Sequence, residues 1–299
     1  MRDVDESRRT PVSLTVRDRS IAYEVRRGGV VTATCVGELQ QPPTLLEWGS
    51  VTKTVTAQVA ARLAERGELD LAAPVTTYLP DAELPTWVDV SSLMSHTSGL
   101  PRLPQGVPFA AADPYARFTT TYFDEHVVPT LGTLHDGTVG TWRYSNLGYA
   151  VLTRVVERRT GQDWSGLARD LVLDPLGLDE TTTWHDPERI ARLHTWTGKV
   201  RSTWVDTGPF IGAGGLLSTF DDLCRYAQRI AAAPWTGHRP VGWMRSKDLW
   251  WHNGHNRDQG ALVGFDDGGA TTVVVHTLGH RFGTADHKAA ELIRASSSR

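Results

Sequence analysis

Gly49-Ser50-Val51-Thr52-Lys53 begins the stretch that decides the fold, and this stretch runs on to Gly67. Its apolar residues recur at helical spacing: Val51, Val55, Val59 and Leu63. This spacing marks one face of an α-helix, so it predicts a helix from about Val51 to Arg66 that ends at Gly67. Ser50 then lies at the helix N-terminus, with Lys53 three residues further along the same face.

A serine and a lysine in this arrangement suit nucleophilic catalysis. A free serine hydroxyl is a weak nucleophile that needs a neighbouring base, and a buried lysine with a lowered pKa is one such base. The helix N-terminus adds backbone N–H groups for a developing oxyanion. A helix cap followed by a surface lysine has the same spacing, so both interpretations stay open. The chain has only four lysines, which favours a specific role for Lys53.

Strand patterns occupy both ends of the chain. Val12, Leu14 and Val16 alternate with polar residues, as on a half-buried strand. Two hairpins are predicted from apolar runs around a glycine-containing turn: 21–25 with 30–36, and 261–265 with 271–277. We therefore expect the two ends of the chain to complete one sheet.

Helical patterns fill the remainder: 147–157, 166–173, 220–230 and 285–294. Thr219 with Asp222 resembles a capping box, with Asp in place of Glu, at the start of the third of these helices. The predicted class is α/β (α+β), with one domain over residues 1–299. Its α/β lobe is expected at about 11–66 and 210–299, and its helical lobe at about 67–209.

Composition and charge narrow the class of protein. The chain has 299 residues, 40% hydrophobic and 22% charged, which is ordinary for a globular protein with a sizeable core. A net charge of −3 favours neither nucleic acid nor an anionic membrane, and no apolar run predicts a transmembrane helix. Residues 1–10 lack the apolar stretch of a signal peptide, so a cytoplasmic location is expected if Met1 is the native start. Cys35 and Cys224 do not indicate a disulfide framework, and the histidines form no metal motif.

A second candidate motif is Tyr144-Ser145-Asn146, directly before the predicted helix 147–157. A tyrosine phenol can carry a proton when cations lower its pKa. An asparagine side chain offers a donor and an acceptor to a substrate amide or to a lysine. A buried aromatic residue before a helix gives the same pattern, and without context that interpretation is favoured.

A third candidate is His252-Asn253-Gly254, between two tryptophans and the final predicted strands. A glycine in a strand permits close backbone approach of a ligand. A cationic or hydrogen-bonding side chain beside it would orient a substrate carboxylate or carbonyl. In isolation, a polar hairpin end explains this motif as well.

The order of the three motifs resembles that of the beta-lactamase-related family, which contains class C beta-lactamases, D-alanyl-D-alanine peptidases and serine esterases. SxxK comes first, YxN second, and a basic residue-x-Gly third, before the last strands. Stretches outside the motifs are also similar to family segments: 93–101 to LLTHTSGLP, 140–149 to PGTxWxYSNxGY, 174–178 to the PLGM turn and 213–223 to AGGLxSTxxDL. The likeness covers residues 30 to 290.

The resemblance implies a beta-lactamase/transpeptidase-like fold, an antiparallel sheet flanked by helices beside a mainly helical lobe. It implies that Ser50 attacks a carbonyl, that Lys53 takes or stabilises the proton, and that Tyr144 acts first as base and then as acid. Asn146 is implied to position Lys53 and the acyl chain. The N–H groups of Ser50 and His255 are implied to form the oxyanion hole.

The residues at the third motif depart from the family's pattern. His252 stands where the family usually has the lysine of KTG, and a histidine is only half-charged near pH 6.5. A beta-lactam or D-alanyl carboxylate therefore fits this motif less well than an esterase-like substrate does. The resemblance implies substrate-binding roles for His252, Asn253, Gly254 and His255, and no metal or organic cofactor.

Three functions stay open from the sequence. The first is a serine hydrolase that cleaves a small ester, amide or thioester through an acyl-serine intermediate. The second is an acyltransferase of specialised metabolism, in which an amine or alcohol replaces water and the catalytic residues are the same. The third is a binding relative without activity, against which Ser50, Lys53, Tyr144 and Asn146 argue.

Two further groups of residues are interpreted as structural. His96, with its neighbours Ser95, Thr97 and Ser98, is expected to hold loop backbone together. Tryptophans crowd the C-terminal half, and one or two of them are expected to line an apolar acyl pocket: Trp196, Trp204, Trp235, Trp243, Trp250 and Trp251.

Overall fold

A computed structural model of the chain describes residues 14–15, 19–108, 113–138, 140–191, 193–194, 197, 199, 201, 203–204, 208–233 and 241–297. The strands within these residues are β1 (Leu14–Thr15), β2 (Ser20–Arg27), β3 (Val30–Cys35), β4 (Leu46–Glu47), β5 (Thr181–Thr182), β6 (Leu193–His194), β7 (Leu217–Ser218), β8 (Met244–Ser246), β9 (Leu249–His255), β10 (Gln259–Asp266) and β11 (Thr271–Leu278). The α-helices are α1 (Thr52–Glu65), α2 (Val90–Met94), α3 (Thr120–Tyr122), α4 (Leu131–Leu134), α5 (Asn146–Thr160), α6 (Trp164–Ala168), α7 (Ile211–Gly214), α8 (Phe220–Ala231) and α9 (Thr284–Ser297). Short 3₁₀ turns include Gly49–Val51, and π-helical turns lie at Phe123–Val127 and Arg169–Leu173.

The main sheet joins the two ends of the chain, as the strand patterns predicted. Its strand order is β3-β2-β11-β10-β9-β8, and every neighbouring pair is antiparallel. Both predicted hairpins are confirmed, as β2–β3 and β10–β11. The short β1 lies apart from this sheet and pairs in parallel with β6. Val12 and Val16, which were expected to extend that first strand, lie outside the described residues.

The main sheet is covered on both faces, which explains why β10 and β11 are buried almost throughout. Helix α9 packs on one face, where Val273, Val275 and Leu262 meet Ala289. Helix α8 packs on the other. The side chain of Thr219 accepts the N–H of Asp222 at 3.3 Å and so caps α8, as expected. The Asp222 carboxylate accepts hydrogen bonds from Glu180 and Thr181, so the cap is one half of a capping box.

Helix α1 lies in the centre of the molecule and confirms the predicted apolar stripe. Val51, Val55 and Val59 are fully buried. The polar side of α1 is buried as well: Thr52, Lys53, Thr54 and Thr56 are all 0% exposed. Their polar atoms are hydrogen-bonded, as where the Thr56 hydroxyl donates to the carbonyl of Gly212 at 2.6 Å. A helix of this kind can hold a charged group in the interior of the protein.

The helices between the two halves of the sheet pack against α1 and one another, through α2, α5, α6 and α7. Three two-residue strands, in the order β4-β7-β5, tie the segment before Ser50 to this region. None of the helices in the described part of the chain is both long and apolar enough to span a bilayer.

Candidate active site

The 3₁₀ turn Gly49–Val51 places Ser50 at the entrance to α1, where the sequence predicted it. The preceding Trp48 is fully buried and fixes this turn from behind. Its indole Nε1–H donates to the hydroxyl of Ser218 at 2.8 Å, and its backbone N–H donates to the carbonyl of Leu216 at 2.9 Å. Gly49 has φ +50°, a left-handed conformation that favours glycine. Ser50 is thus held on a rigid turn rather than on a free loop.

The Lys53 side-chain nitrogen lies directly beside the Ser50 hydroxyl. Its Nζ donates to Ser50 Oγ at 3.0 Å and to the carbonyl oxygen of Ala213, at the end of α7, at 2.6 Å. The side chain is 0% exposed. A buried amine within hydrogen-bond distance of a serine oxygen meets the geometric requirement for an activated nucleophile.

The phenol of Tyr144 also contacts this serine. Its side chain is hydrogen-bonded to Ser50, and its ring centroid lies 5.2 Å from Lys53 Nζ. Burial raises the pKa of Tyr144 to about 12, while the Ser50 hydrogen bond and the charge of Arg102 act in the opposite direction. At neutral pH the group is therefore a phenol that can donate a proton. The structure brings together the three residues that were predicted to be catalytic.

Strand β9 approaches the Ser50 turn so closely that only glycine fits at the contact. A Cβ on Gly254 would lie 1.9 Å from the carbonyl oxygen of Trp48 and 2.8 Å from the Ser50 nitrogen. A Cβ on Gly49 would lie 2.7 Å from the backbone nitrogen of His255. The glycine of the third motif is thus required by backbone packing.

The approach of β9 to the Ser50 turn also brings the backbone N–H of His255 to the site. Asn256 N–H donates to the Gln259 carbonyl at 3.0 Å, which makes these two residues a hydrogen-bonded pair. In an antiparallel ladder the adjacent pair, His255 with Gly260, is then non-hydrogen-bonded. The N–H of His255 therefore points away from β10 and towards the Ser50 turn. Ser50 and His255 line the same cavity, so their N–H groups are candidates for an oxyanion hole.

His252 faces the site but is neutral. Its ring centroid lies 6.3 Å from that of Tyr144, and the side chain is 0% exposed. Burial, together with the charge of Lys53, lowers the pKa of His252 to about 3. Its Nδ1 lies 2.7 Å from the carbonyl of Asn253, and its Nε2 has no hydrogen-bond partner within the described residues. The expectation that His252 is half-charged near pH 6.5 is wrong, because the fold removes this ring from water.

The side chains of Asn253 and His255 lie on the opposite face of β9. The amide of Asn253 donates to Asp286 of α9 at 2.8 Å, and the ring of His255 packs on Phe282 with centroids 4.7 Å apart. Side chains alternate along a strand, so residues 252 and 254 face Ser50 and residues 253 and 255 do not. The structure thus brings only the backbone of His255, and not the amide of Asn253, to the site.

Asn146 begins α5 and lines the cavity that also contains Ser50. Its Oδ1 is buried and accepts no hydrogen bond from any residue that the structure describes. A buried amide oxygen without a partner is costly, and a substrate N–H or O–H group would satisfy it.

Several residues at this site escaped the sequence analysis. Tyr115, Phe210 and Trp204 form an aromatic wall, with ring centroids 4.9 Å apart for Tyr115–Phe210 and 5.8 Å apart for Tyr115–Trp204. Trp204 thus fits the expectation that a tryptophan lines the pocket, while Trp196 and Trp235 lie outside the described residues. Tyr115 and Phe210 carried no sequence signal.

Two polar residues were missed as well. Arg102 is exposed, and its guanidinium carbon lies 5.6 Å from the Tyr144 ring centroid. Its carbonyl accepts the N–H groups of Asn146 at 3.0 Å and Leu147 at 3.1 Å. Asn256 also borders the Ser50 cavity and is hydrogen-bonded to the buried Glu47. Both residues directly follow stretches that the sequence analysis had singled out. Within the described part of the chain, no cluster of His, Cys, Asp and Glu could hold a metal ion.

Comparison with known proteins identifies the family. A family model described as Beta-lactamase matches residues 19–297, so the chain belongs to the beta-lactamase family of serine hydrolases. The solved structure of the octameric penicillin-binding protein homologue from Pyrococcus abyssi has a TM-score of 0.76 to this chain. It is 19% identical and covers 94% of this chain and 74% of that one. The resemblance stated from the sequence and the beta-lactamase/transpeptidase-like fold are both confirmed.

Two relatives show the range of named activities. Penicillin-binding protein 4 of Amycolatopsis lactamdurans is 32% identical over 203 residues, which cover 60% of this chain and 49% of that protein. Esterase EstB of Burkholderia gladioli is 34% identical over 198 residues, which cover 60% and 48%. The chain thus spans about half the length of these curated relatives.

Proposed function

We propose that this protein is a serine hydrolase that cleaves a small ester or amide through an acyl-enzyme on Ser50. The observation that carries the proposal is the hydrogen bond of 3.0 Å between Lys53 Nζ and Ser50 Oγ, on a turn that the backbone of β9 fixes. The name of EstB supports the ester as the first substrate class to test.

The reaction follows from the positions of these groups. Ser50 Oγ attacks the carbonyl carbon, and its proton passes, directly or through the Tyr144 hydroxyl, to Lys53, which accepts it as a neutral amine. Lys53 returns this proton to Tyr144 after the phenol has protonated the leaving group. The N–H groups of Ser50 and His255 stabilise the negative oxygen that forms. Tyr144, a phenol at neutral pH, donates a proton to the leaving alcohol or amine as its bond to the carbonyl carbon breaks. Water then attacks the acyl-serine and releases the acid.

The surroundings of Ser50 favour a short acyl group without a carboxylate at His252. The cavity has a volume of ≈ 30 Å³ and is bounded on one side by Tyr115, Trp204 and Phe210. Because His252 is buried and neutral, it offers no charge to the carboxylate of a beta-lactam. We therefore expect p-nitrophenyl acetate and butyrate to be turned over faster than long-chain esters, and nitrocefin to be a poor substrate.

A panel of p-nitrophenyl esters tests this function directly, with Ser50→Ala as the matched control. Turnover by the wild type but not by Ser50→Ala is expected. Equal turnover by both proteins would remove Ser50 as the nucleophile, and absence of any turnover or adduct would favour a binding relative.

Acyl transfer to an amine or alcohol would use the same groups in place of water. Adding hydroxylamine, a small amine and an alcohol to the assay separates the two reactions by their products. We expect the free acid to remain the main product. Diversion of most acyl groups to one acceptor class would replace hydrolysis by acyl transfer as the assigned function.

A further inference from the structure

His96 holds the backbone on both sides of Tyr144. Its own carbonyl oxygen accepts the N–H of Arg143 at 2.7 Å, and its imidazole Nδ1 accepts the N–H of Ser145 at 3.1 Å. These two N–H groups belong to the residues immediately before and after Tyr144. One residue, 48 positions earlier in the chain, therefore fixes the loop segment that carries the phenol.

The imidazole also contacts the Tyr144 ring itself. The two centroids lie 4.5 Å apart, with the planes inclined by 35°. The Tyr149 ring lies 4.9 Å from the same imidazole, and its hydroxyl donates to the carbonyl of Met94 at 2.8 Å. Tyr144 thus packs against the His96 imidazole, which also packs against Tyr149.

Ser145 transmits this arrangement to the helix behind it. Its hydroxyl accepts the N–H of Gly148 at 2.7 Å as the N-cap of α5, and donates to the carbonyl of Pro101 at 2.6 Å. Because its N–H donates to His96, both the backbone N–H and the hydroxyl of Ser145 are held by hydrogen bonds. The spacing between Tyr144 and Asn146 is set by these contacts.

If stability were its only role, histidine would be an unfavourable residue at position 96. Its φ is +60°, in the left-handed region that asparagine and glycine adopt more easily. The side chain is only 5% exposed, and the Nε2 of its ring has no hydrogen-bond partner in the part of the chain that the structure describes. Because Nδ1 is an acceptor, the proton lies on Nε2 and is buried without a partner. Features of this kind cluster at functional sites.

We propose that His96 is a positioning residue that holds Tyr144 in reach of Ser50, through the N–H groups of Arg143 and Ser145 and the face of the phenol ring. The proposal rests on the proposed function, in which Tyr144 transfers protons to and from Ser50 and the leaving group. Burial, followed by the charge of Lys53, lowers the pKa of His96 to about 2. Its Nδ1 therefore remains an acceptor at any pH at which the enzyme works.

Two variants test the side-chain contacts of His96. His96→Gly removes the acceptor and the ring but tolerates the left-handed φ, whereas His96→Asn keeps an acceptor near Nδ1 and also tolerates that φ. Ser95→Ala is the matched control, because Ser95 lies in the same loop, is exposed, and directs its hydroxyl to Ser91 and Thr97.

Steady-state kinetics with p-nitrophenyl acetate give the first readout. We expect His96→Gly to lower kcat by about 100-fold, the usual consequence of a displacement of about 1 Å, with KM changed far less. His96→Asn should recover most of the loss, and in a Tyr144→Phe background His96→Gly should cause no further loss. A wild-type kcat in His96→Gly, or the same loss in both backgrounds, would overturn the proposal. If His96→Gly does not fold, His96→Asn decides alone, because a loss of about 100-fold in that variant contradicts the role of the acceptor.

A spectroscopic titration gives a readout that does not depend on activity. The tyrosinate absorbance of Tyr144, taken as the difference from Tyr144→Phe, should titrate near the buried pKa of about 12 in the wild type and closer to 10.0 in His96→Gly, because water then reaches the phenol. His96→Asn should titrate like the wild type. An unchanged titration in His96→Gly would overturn the positioning role, even if the wild type proved to have no esterase activity.

Discussion

The substitution Gly254→Ala tests whether the fit between β9 and the Ser50 turn sets the reactivity of the serine. The added Cβ would lie 1.9 Å from the carbonyl oxygen of Trp48, and ordinary contacts begin at 3.4 Å. The strand and the turn must therefore separate by about 1.5 Å, which moves the N–H of His255 away from the substrate oxygen. A displacement of about 1 Å typically lowers a rate by about 100-fold, equivalent to about 2.7 kcal/mol of transition-state free energy.

The burst of p-nitrophenol during acylation measures this loss, with thermal unfolding recorded in parallel. The matched control is Gly268→Ala, where the nearest atom is Asp266 Oδ1 at 4.0 Å and the backbone is not left-handed. This variant should acylate at the wild-type rate. If folded Gly254→Ala also acylated at that rate, the backbone contact would not determine the oxyanion geometry and the reasoning would be refuted.

Three further predictions concern charge and proton transfer. Lys53→Met should slow labelling of Ser50 by a fluorophosphonate by about 100-fold or more, as expected for loss of an activating base; a loss below about 3-fold would speak against this role. Tyr144→Phe should slow hydrolysis of alkyl esters more than of p-nitrophenyl esters, because only the poorer leaving group needs the phenol proton; equal losses would contradict an acid role. Burial lowers the pKa of His276 to about 3. Below pH 6.5 this histidine therefore binds a proton in the unfolded chain but not in the folded protein, so the free energy of unfolding decreases as the pH falls. Glu47, with its pKa raised to about 7, acts in the opposite direction between pH 4.5 and 7. His276→Gln should therefore flatten the decline in melting temperature between pH 6.5 and 5, and an unchanged slope would exclude this histidine as a cause.

Local patterns predicted most of the elements that form the sheet and carry the nucleophile. The stripe from Val51 to Leu63 gave α1 and hence the position of Ser50, because a helix of 14 residues has a clear period. The strands β4, β5 and β7 were missed, since two residues each are too few to show alternation. Their positions are set by long-range pairing alone.

The candidate site was likewise predicted where its contacts are local in sequence and missed where they depend on distant segments. Ser50 and Lys53 lie within one turn of helix, so their contact followed from spacing. The neutral state of His252 could not be predicted, because it depends on burial by distant segments. The outward side chain of Asn253 was predictable from strand alternation once His252 was assigned to the site face. The contact between His96 and Tyr144 joins two loops and had no local signal.

Trapping the acyl-enzyme tests the central claim most directly. The protein is mixed with p-nitrophenyl acetate, quenched in acid within the burst phase, and digested for peptide mapping by mass spectrometry. The account predicts one acetyl group on the peptide that contains Ser50, and none on that peptide in Ser50→Ala. An acetyl group on another residue, present at the same level in both proteins, would contradict it.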